Sequence, residues 1–398
     1  MSTPRLSLLA DENIPLAREA FQTFGSVTTR PGRDISRDNL KEVDVLLVRS
    51  VTEVDADLLA GTPVRFVGSA TIGTDHVDRA WLADHDITFA HAPASNADSV
   101  ADYVVTIALH LASRQQAHLA DRTVGVIGCG NTGSRVARRL RGLGASVLVN
   151  DPPLADEAEM NGENHPYVPL DHLLDEADVL SLHTPLTVDG RHPTHHLIDG
   201  EVMDRLRPNT WLINTSRGAV VDNAALLRRL ERRDNSIGAV ALDVWENEPT
   251  PDASLLQRVD IATPHVAGYA YDGKVRGTAM LYRALCRFLD VAPAWSPETA
   301  LEPDHPDDLR LSPPDARLPR TEYLAHLAEA ACDVRGDHRR LRSILDVPEA
   351  EQGAFFSRLR KTYPRRREMQ TQSITRSAVP VSLHDAIRDG LRIKLTDA

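Results

Sequence analysis

Short apolar runs alternate with amphipathic stretches along most of the first 290 positions. "LSLLA" (6–10), "DVLLV" (44–48), "VRFVG" (64–68) and "ITFA" (87–90) each end in a polar turn, and "PLAREAFQTF" after the first has helical spacing. Continuous apolar runs separated by helices predict a parallel sheet covered on both faces. Residues 1–95 are therefore expected to form one small α/β domain. "NADSVADYVVTIALHLASRQ" (96–115) predicts a long helix with Asp98 as N-cap and Val100, Val104, Ile107, Ala108 and Leu111 on one face. Six further strand-like runs follow between 123 and 265: "TVGVIG", "SVLVND", "DVLSLH", "TWLINT", "AVALDV" and "DIATPH". That number suffices for a complete doubly wound domain. A second long helical pattern occupies 273–290, and 291–320 holds seven prolines, the mark of a linker. Residues 321–398 are helix-rich and dense in arginine, a third and smaller unit.

Composition narrows the class. A chain of 398 residues exceeds one ordinary core. Apolar residues at 42% and charged residues at 26% describe a soluble globular protein. Asp+Glu outnumber Lys+Arg by 57 to 45, a net charge of −12. Such a chain is a poor general binder of nucleic acid or anionic membrane, so an anionic ligand needs locally placed Arg, Lys or helix N-termini. The apolar run near the start spans about five residues, shorter than a signal-peptide core or a membrane span. Cys129, Cys286 and Cys332 are scattered without a CxxC pair, and a reducing cytoplasm is expected. "RHPTHHL" (191–197) lacks a carboxylate at ligand spacing, so no metal site is expected there.

"TVGVIGCGNTGSRVARRLRGLGASVLVND" sets Gly128, Gly130 and Gly133 in G-x-G-x-x-G spacing. Alone the pattern is weak. Here it follows a strand, opens a helix, and precedes a second strand ending at Asp151, 18 residues past the third glycine. Gly128 permits the tight turn, Gly130 lets the backbone approach a pyrophosphate, and Gly133 lets helix and strand pack closely. Asp151 would accept hydrogen bonds from ribose hydroxyls and repel a 2′-phosphate, which favours NAD over NADP.

Three stretches farther on sit where strands end. "INTSRGAVVDNAALL" brings Arg217, with Asp222 capping the next helix; "VALDVWENEP" brings Glu246 and Glu248; "IATPHVAGY" brings His265. Ligands bind at the carboxyl ends of strands in open α/β sheets. Oxidising an alcohol requires a hydride acceptor and a base. An imidazole with a pKa of about 6.5 suits the base, a carboxylate beside it fixes its tautomer, and an Arg fork suits a substrate carboxylate. These residues alone leave open which glutamate is the partner.

The motifs "GCGNTG…ND", "NTSRGAVVDNAALL", "ALDVWENEP" and "TPHVAGY" resemble the D-2-hydroxyacid dehydrogenase superfamily over about residues 40–290. "VRSVTEV", "FVGSATIGTDHVD", "HVAGYAYDGKVRGT", "DVRGDHRRLR" and "LRKTYPRRRE" more closely resemble its erythronate-4-phosphate dehydrogenase family, over nearly the whole chain. The segment "LERRDNSIG" looks slightly long for that family.

The resemblance implies two doubly wound α/β domains, Rossmann-like or flavodoxin-like, with the NAD domain (96–267) inserted in the substrate domain (1–95 and 268–295). A small α+β C-terminal dimerisation domain (296–398) would complete a cytoplasmic homodimer. It implies NAD-dependent oxidation of 4-phospho-D-erythronate in pyridoxine 5′-phosphate synthesis. Carried over, the catalytic residues are Arg217, Glu248 and His265. The glutamate is the one directly before the proline, which leaves Glu246 as a solvent-facing carboxylate. NAD contacts would include Asp151, Thr184, Thr215, Ser216, Arg217, Asp243 and Gly268. Substrate contacts would be Ser50, Thr71 and Tyr269. Arg49, ending a strand beside Ser50, is the first candidate for the substrate phosphate, ahead of Lys274 and Arg276. Two alternatives share the motifs: a dehydrogenase for another D-2-hydroxy acid such as 3-phosphoglycerate, and a non-enzymatic NAD-sensing scaffold.

Overall fold

The computed structural model describes residues 5–232, 237–303 and 305–397. Residues 233–236, within the segment that looks long for the family, lie outside them. Contacts group the chain into two compact units, Met1–Asn96 with Ala270–Asp304, and Ala97–Tyr269 with His305–Ala398.

In the first unit β1 (Leu6–Asp11), β2 (Gly25–Arg30), β3 (Val45–Val48), β4 (Phe66–Ser69) and β5 (Thr88–His91) form a parallel sheet in the order β2-β1-β3-β4-β5. Successive side chains point to opposite faces, as a strand's period of two requires. Leu6, Leu8, Val45 and Leu47 join Leu281, Tyr282 and Leu285 of the helix Tyr271–Phe288. Leu9, Leu46 and Val48 join Leu58, Leu59 and Leu82 on the other face. Both faces are covered, which is why β3 reads as an unbroken apolar run.

In the second unit the six runs read from the sequence are six parallel strands: β6 (Thr123–Ile127), β7 (Ser146–Asn150), β8 (Val179–Leu182), β9 (Thr210–Asn214), β10 (Ile237–Leu242) and β11 (Ile261–Ala262). Their order is β11-β10-β9-β8-β6-β7. A further position beside β7 is reduced to a single bridge between Val149 and Tyr167. The winding reverses between β6 and β8, the switch point where such sheets hold ligands.

Helix α1 (Ala97–Arg114) departs from the one-sided pattern expected of it, being buried on nearly every side. It lies between the sheet, through Trp211 and Ile213, and the helix Arg320–Ala331, through Leu324, Leu327 and Ala328. Its buried polar groups therefore need partners. Ser99 donates to Glu368 at 2.7 Å, Tyr103 to Asp337 at 2.9 Å, and His110 meets Glu329 at 2.6 Å. Asp98 is not the N-cap but the second residue of the helix, and it pairs with Arg135 at 3.1 Å and Arg139 at 3.2 Å. Both arginines sit on α2 (Asn131–Gly142), the helix that the glycine motif opens.

Residues after 305 pack into both apolar layers of this unit. Ile374, Leu383, Ile387 and Leu391 share the layer of α1, while Leu341, Ile344 and Phe356 share the opposite one. A short parallel pair joins Ser373–Thr375 to Lys394–Thr396. No helix among the described residues is long and apolar enough to cross a membrane.

Candidate active site

The carboxyl ends of β6 to β11 deliver the second unit's candidate residues to one edge of one sheet. Gly128 follows β6 with φ +85°, and a Cβ there would stand 2.7 Å from the His183 carbonyl oxygen. Gly133 lets α2 press on the loop, since a Cβ there would stand 1.8 Å from the Gly128 oxygen. Gly130 differs from both. A Cβ there would meet nothing within 4 Å, so the protein itself does not require a glycine. Open space over an N-terminal helix turn fits the close approach of a pyrophosphate.

Asp151, after β7, accepts the Cys129 N–H at 2.7 Å and caps the next helix through Leu154 N–H. Thr184 after β8 and Thr215 after β9 each hold a buried hydroxyl without a hydrogen-bond partner among the described residues. Buried hydroxyls lacking partners mark places where a bound group completes the bonding. The open space at Gly130 and these two hydroxyls together fit a dinucleotide. Beside them His183 is fully enclosed and bonds Ser181 at 2.8 Å; burial pushes it down to about 3, so it adds no charge to the site.

The turn after β9 is shaped by Asn214, whose role the sequence reading missed. Its side-chain oxygen accepts from Ser216 N–H at 3.0 Å and Ser216 Oγ at 2.8 Å, and its amide donates to the Arg217 carbonyl at 2.9 Å. An Asn ending a strand before a polar turn was the available signal. Arg217 Nη1 also donates to the Ser216 carbonyl at 2.9 Å.

Asp243, after β10, is buried and acts on the loop after β11. It accepts from Thr263 Oγ1 at 2.6 Å, Val266 N–H at 2.9 Å and Ala267 N–H at 2.9 Å. Its proximity to NAD was expected; this bracing of the loop on both sides of His265 was not. Burial raises its pKa, against the charge of His265 and these three donors. His265 takes a left-handed backbone, φ +57°, and its Nδ1 lies 2.8 Å from Glu248 Oε2. The other Glu248 oxygen accepts the Trp245 N–H at 3.0 Å. Burial pushes the Glu248 carboxyl up, but the charge and hydrogen bond of His265 outweigh it, and with Arg360 they hold it below its ordinary value. The Glu248–Pro249 peptide is cis.

Glu246 is not the solvent-facing carboxylate expected. It hydrogen-bonds His196 Nε2 and accepts the Asn223 N–H at 3.2 Å, while its own N–H donates to Asn223 Oδ1 at 3.4 Å. His196 comes from the histidine loop and Asn223 from the start of helix α3 (Asn223–Glu231), which Asp222 caps as expected. Chain neighbours could not reveal partners 50 and 23 residues away. Asp222 lies near the same imidazole, with the three groups' ligand atoms within 4.8 Å of one another. The direct His196–Glu246 hydrogen bond accounts for the closest pair, and no metal role is assigned. Gly218 packs this segment against the Arg217 turn, because a Cβ there would stand 2.0 Å from the Trp245 carbonyl carbon.

Gly268 and Tyr269 complete the His265 loop, and the Tyr269 ring meets Tyr363 edge-on at 5.8 Å. Arg49 and Ser50 follow β3, and Thr71 follows β4, in the first unit. Thr71 Oγ1 bonds Ser69 Oγ and the Gly73 carbonyl, both at 2.7 Å, and Arg49 donates to the Asn13 carbonyl at 3.2 Å.

Residues 88–267 match the D-isomer specific 2-hydroxyacid dehydrogenase, NAD binding domain. An erythronate-4-phosphate dehydrogenase from Salinibacter ruber is 53% identical over 390 residues, which span 98% of this chain and 99% of that one. The chain belongs to the erythronate-4-phosphate dehydrogenase family. A family member from Pseudomonas aeruginosa is 49% identical over 364 residues, 92% of this chain and 93% of that one. Among solved structures, a D-lactate dehydrogenase from Aquifex aeolicus, complexed with NAD and lactic acid, is 27% identical with a TM-score of 0.59, covering 71% of this chain and 96% of that one. Family membership thus extends over nearly the full chain, whereas the broader dehydrogenase likeness leaves more than a quarter of it unmatched.

The two later glycines of the motif should separate by experiment. Gly130→Ala should leave the urea midpoint unchanged yet weaken NAD binding at least about tenfold by calorimetry, because the methyl enters ligand space. Gly133→Ala should lower the midpoint itself, because its methyl meets backbone. Equal effects of the two on folding would remove the distinction.

Proposed function

We propose that this protein oxidises 4-phospho-D-erythronate at C2 to (R)-3-hydroxy-2-oxo-4-phosphooxybutanoate, a step of pyridoxine 5′-phosphate synthesis, with NAD. The observation that carries the reading is the His265–Glu248 pair at 2.8 Å on the edge that also presents Arg217, in a chain alike over its length to proteins named for this activity.

NAD, when bound, supplies the hydride acceptor. The protein's residues do the rest. Glu248 accepts from His265 Nδ1, which leaves Nε2 as the basic nitrogen for the C2 hydroxyl proton. Arg217 binds the substrate carboxylate and the reacting oxygen through its rigid fork of donors. Asp243 holds the loop so that Nε2 meets the hydroxyl in one place. Ser50, Thr71 and Tyr269 contact substrate; Asp151, Thr184, Thr215, Ser216 and Gly268 contact the cofactor. The free thiols Cys129, Cys286 and Cys332 suit a reducing cytoplasm. We take the chain to work as a homodimer through residues 296–398.

Three measurements test this. NADH absorbance should rise with 4-phospho-D-erythronate; no turnover, even with a 2-oxo acid present to recycle the cofactor, would leave the scaffold alternative standing. Light scattering of the purified full chain should give twice the 43.8 kDa chain mass, and a monomer at micromolar concentration would refute the dimer. Glu248→Gln should lower kcat about 100-fold and move the acid limb of kcat/KM to lower pH. The sign follows from the Glu248 carboxyl, which the charge and hydrogen bond of His265 hold below its ordinary value: the pair favours carboxylate beside imidazolium, and a neutral amide removes that preference. Glu246→Gln, by disturbing only the loop's attachment, should lower kcat less than about tenfold and leave the limb in place. A limb that moves with Glu246 instead would reverse the two assignments.

A further inference from the structure

We propose that Arg360, from the C-terminal region, binds the terminal phosphate of the substrate and so sets the preference for a phosphorylated acid. The proposal rests on the substrate reading above and adds a residue outside the matched 88–267 domain.

The helix α4 (Glu349–Lys361) is seated on the catalytic edge. Phe356 anchors it in the apolar layer beneath β10, and a Cβ on Gly353 would stand 3.4 Å from both Pro249 and Thr250. It therefore lies against the loop that bears Glu248. Its last turn is basic, with Arg358, Arg360 and Lys361. Arg358 covers its own helix's Phe355, at 4.9 Å. Arg360 instead reaches Tyr269, its guanidinium 5.4 Å from the ring centroid. Tyr269 is four residues past His265 on the loop that Asp243 braces.

The state of that guanidinium points to an anion. Its Nε is buried without a hydrogen-bond partner, and among the described residues no hydrogen bond or ion pair engages it. A donor enclosed in this way is destabilising until something accepts from it. A guanidinium held over a ring by cation–π attraction keeps edge N–H groups to donate, and Arg can grip phosphate oxygens bidentately. Its charge also helps hold the Glu248 carboxyl below its ordinary value, so it lies within electrostatic reach of the His265 pair. Arg217 already serves the substrate's carboxylate, which leaves the second anionic end for Arg360. In a chain of net charge −12, a dianion needs such a locally placed cation. The earlier candidates are otherwise engaged, Arg49 on the Asn13 carbonyl at 3.2 Å and Arg276 on the Ser95 carbonyl at 2.8 Å.

The test compares kcat/KM of the full-length enzyme and its Arg360→Ala, Arg360→Lys and Arg49→Ala variants on 4-phospho-D-erythronate and on D-erythronate. Arg360→Ala should lose about 100-fold on the phosphorylated acid and less than about threefold on the unphosphorylated one, the size of a charge-assisted hydrogen-bond pair. Arg360→Lys should recover part of the loss, since the charge remains without the fork. Activity on D-erythronate shows that each variant is folded; if the wild type turns it over too slowly, calorimetric binding of both acids to the enzyme–NADH complex replaces it. Equal losses on the two acids, or an undiminished phosphate preference in Arg360→Ala, would overturn the Arg360 role alone. A preference lost in Arg49→Ala but kept in Arg360→Ala would return the role to Arg49. A wild type that neither binds nor oxidises 4-phospho-D-erythronate would overturn the substrate reading together with this one.

Discussion

The candidate catalytic edge depends on one buried carboxylate. Asp243 receives a hydroxyl and two backbone N–H groups from residues 263–267, and so fixes the loop on either side of His265. Burying a carboxylate is unfavourable unless its lone pairs are filled, and here they are filled by the segment whose position matters most. Arg366 adds to the hold by donating to the Val266 and Ala267 carbonyls, and Trp245 by donating to the Thr263 carbonyl. The loop carries a left-handed residue at His265, which a β-strand or helix would not tolerate. A loose loop there would separate Nδ1 from Glu248. Orientation of the imidazole, its tautomer and the approach of its free nitrogen all follow from an interaction one strand away.

A second constraint runs through backbone packing. Gly218 presses the Arg217 turn against Trp245, and Glu246 then ties the same segment to His196 and Asn223. The turns of Arg217 and Glu248 thus touch through main chain, while the His265 loop is tied to them through the side chains of Glu248, Asp243 and Trp245. Main-chain contact fixes how the two turns sit against each other, and the His265–Glu248 hydrogen bond at 2.8 Å fixes His265 to the second. The cofactor edge is built the other way: Gly130 and the hydroxyls of Thr184 and Thr215 leave space and unfilled bonds.

Much of this was legible in the chain itself. Apolar runs named all six strands of the second sheet, because a sheet covered on both faces demands uninterrupted apolar residues. Glycine spacing located the dinucleotide turn, because a positive φ at Gly128, open space at Gly130 and helix packing at Gly133 place three glycines at that interval. What was not legible depended on distance. Glu246 looked solvated because its partners lie far away in sequence. The all-round burial of α1 was hidden because part of its covering comes from residues past 320. Asn214 was visible as a residue type but not as the architect of the Arg217 turn. Asp98 was misread as a cap because Asp is a good cap, whereas here two arginines of α2 hold it.

Those arginines have a consequence for how the protein is built as a whole. Arg139 is fully buried and bonds Asp102 as well as Asp98, and the second Asp102 oxygen accepts the Met369 N–H at 3.0 Å. One carboxylate therefore joins the helix that opens at the cofactor turn to a segment more than two hundred residues later. Removing that segment would take a hydrogen bond from the buried Asp102–Arg139 pair as well as expose apolar surface. The C-terminal residues are in this sense not a detachable module. Because the donor is a backbone N–H, an exchanged segment would keep this bond only by following the same path past Asp102.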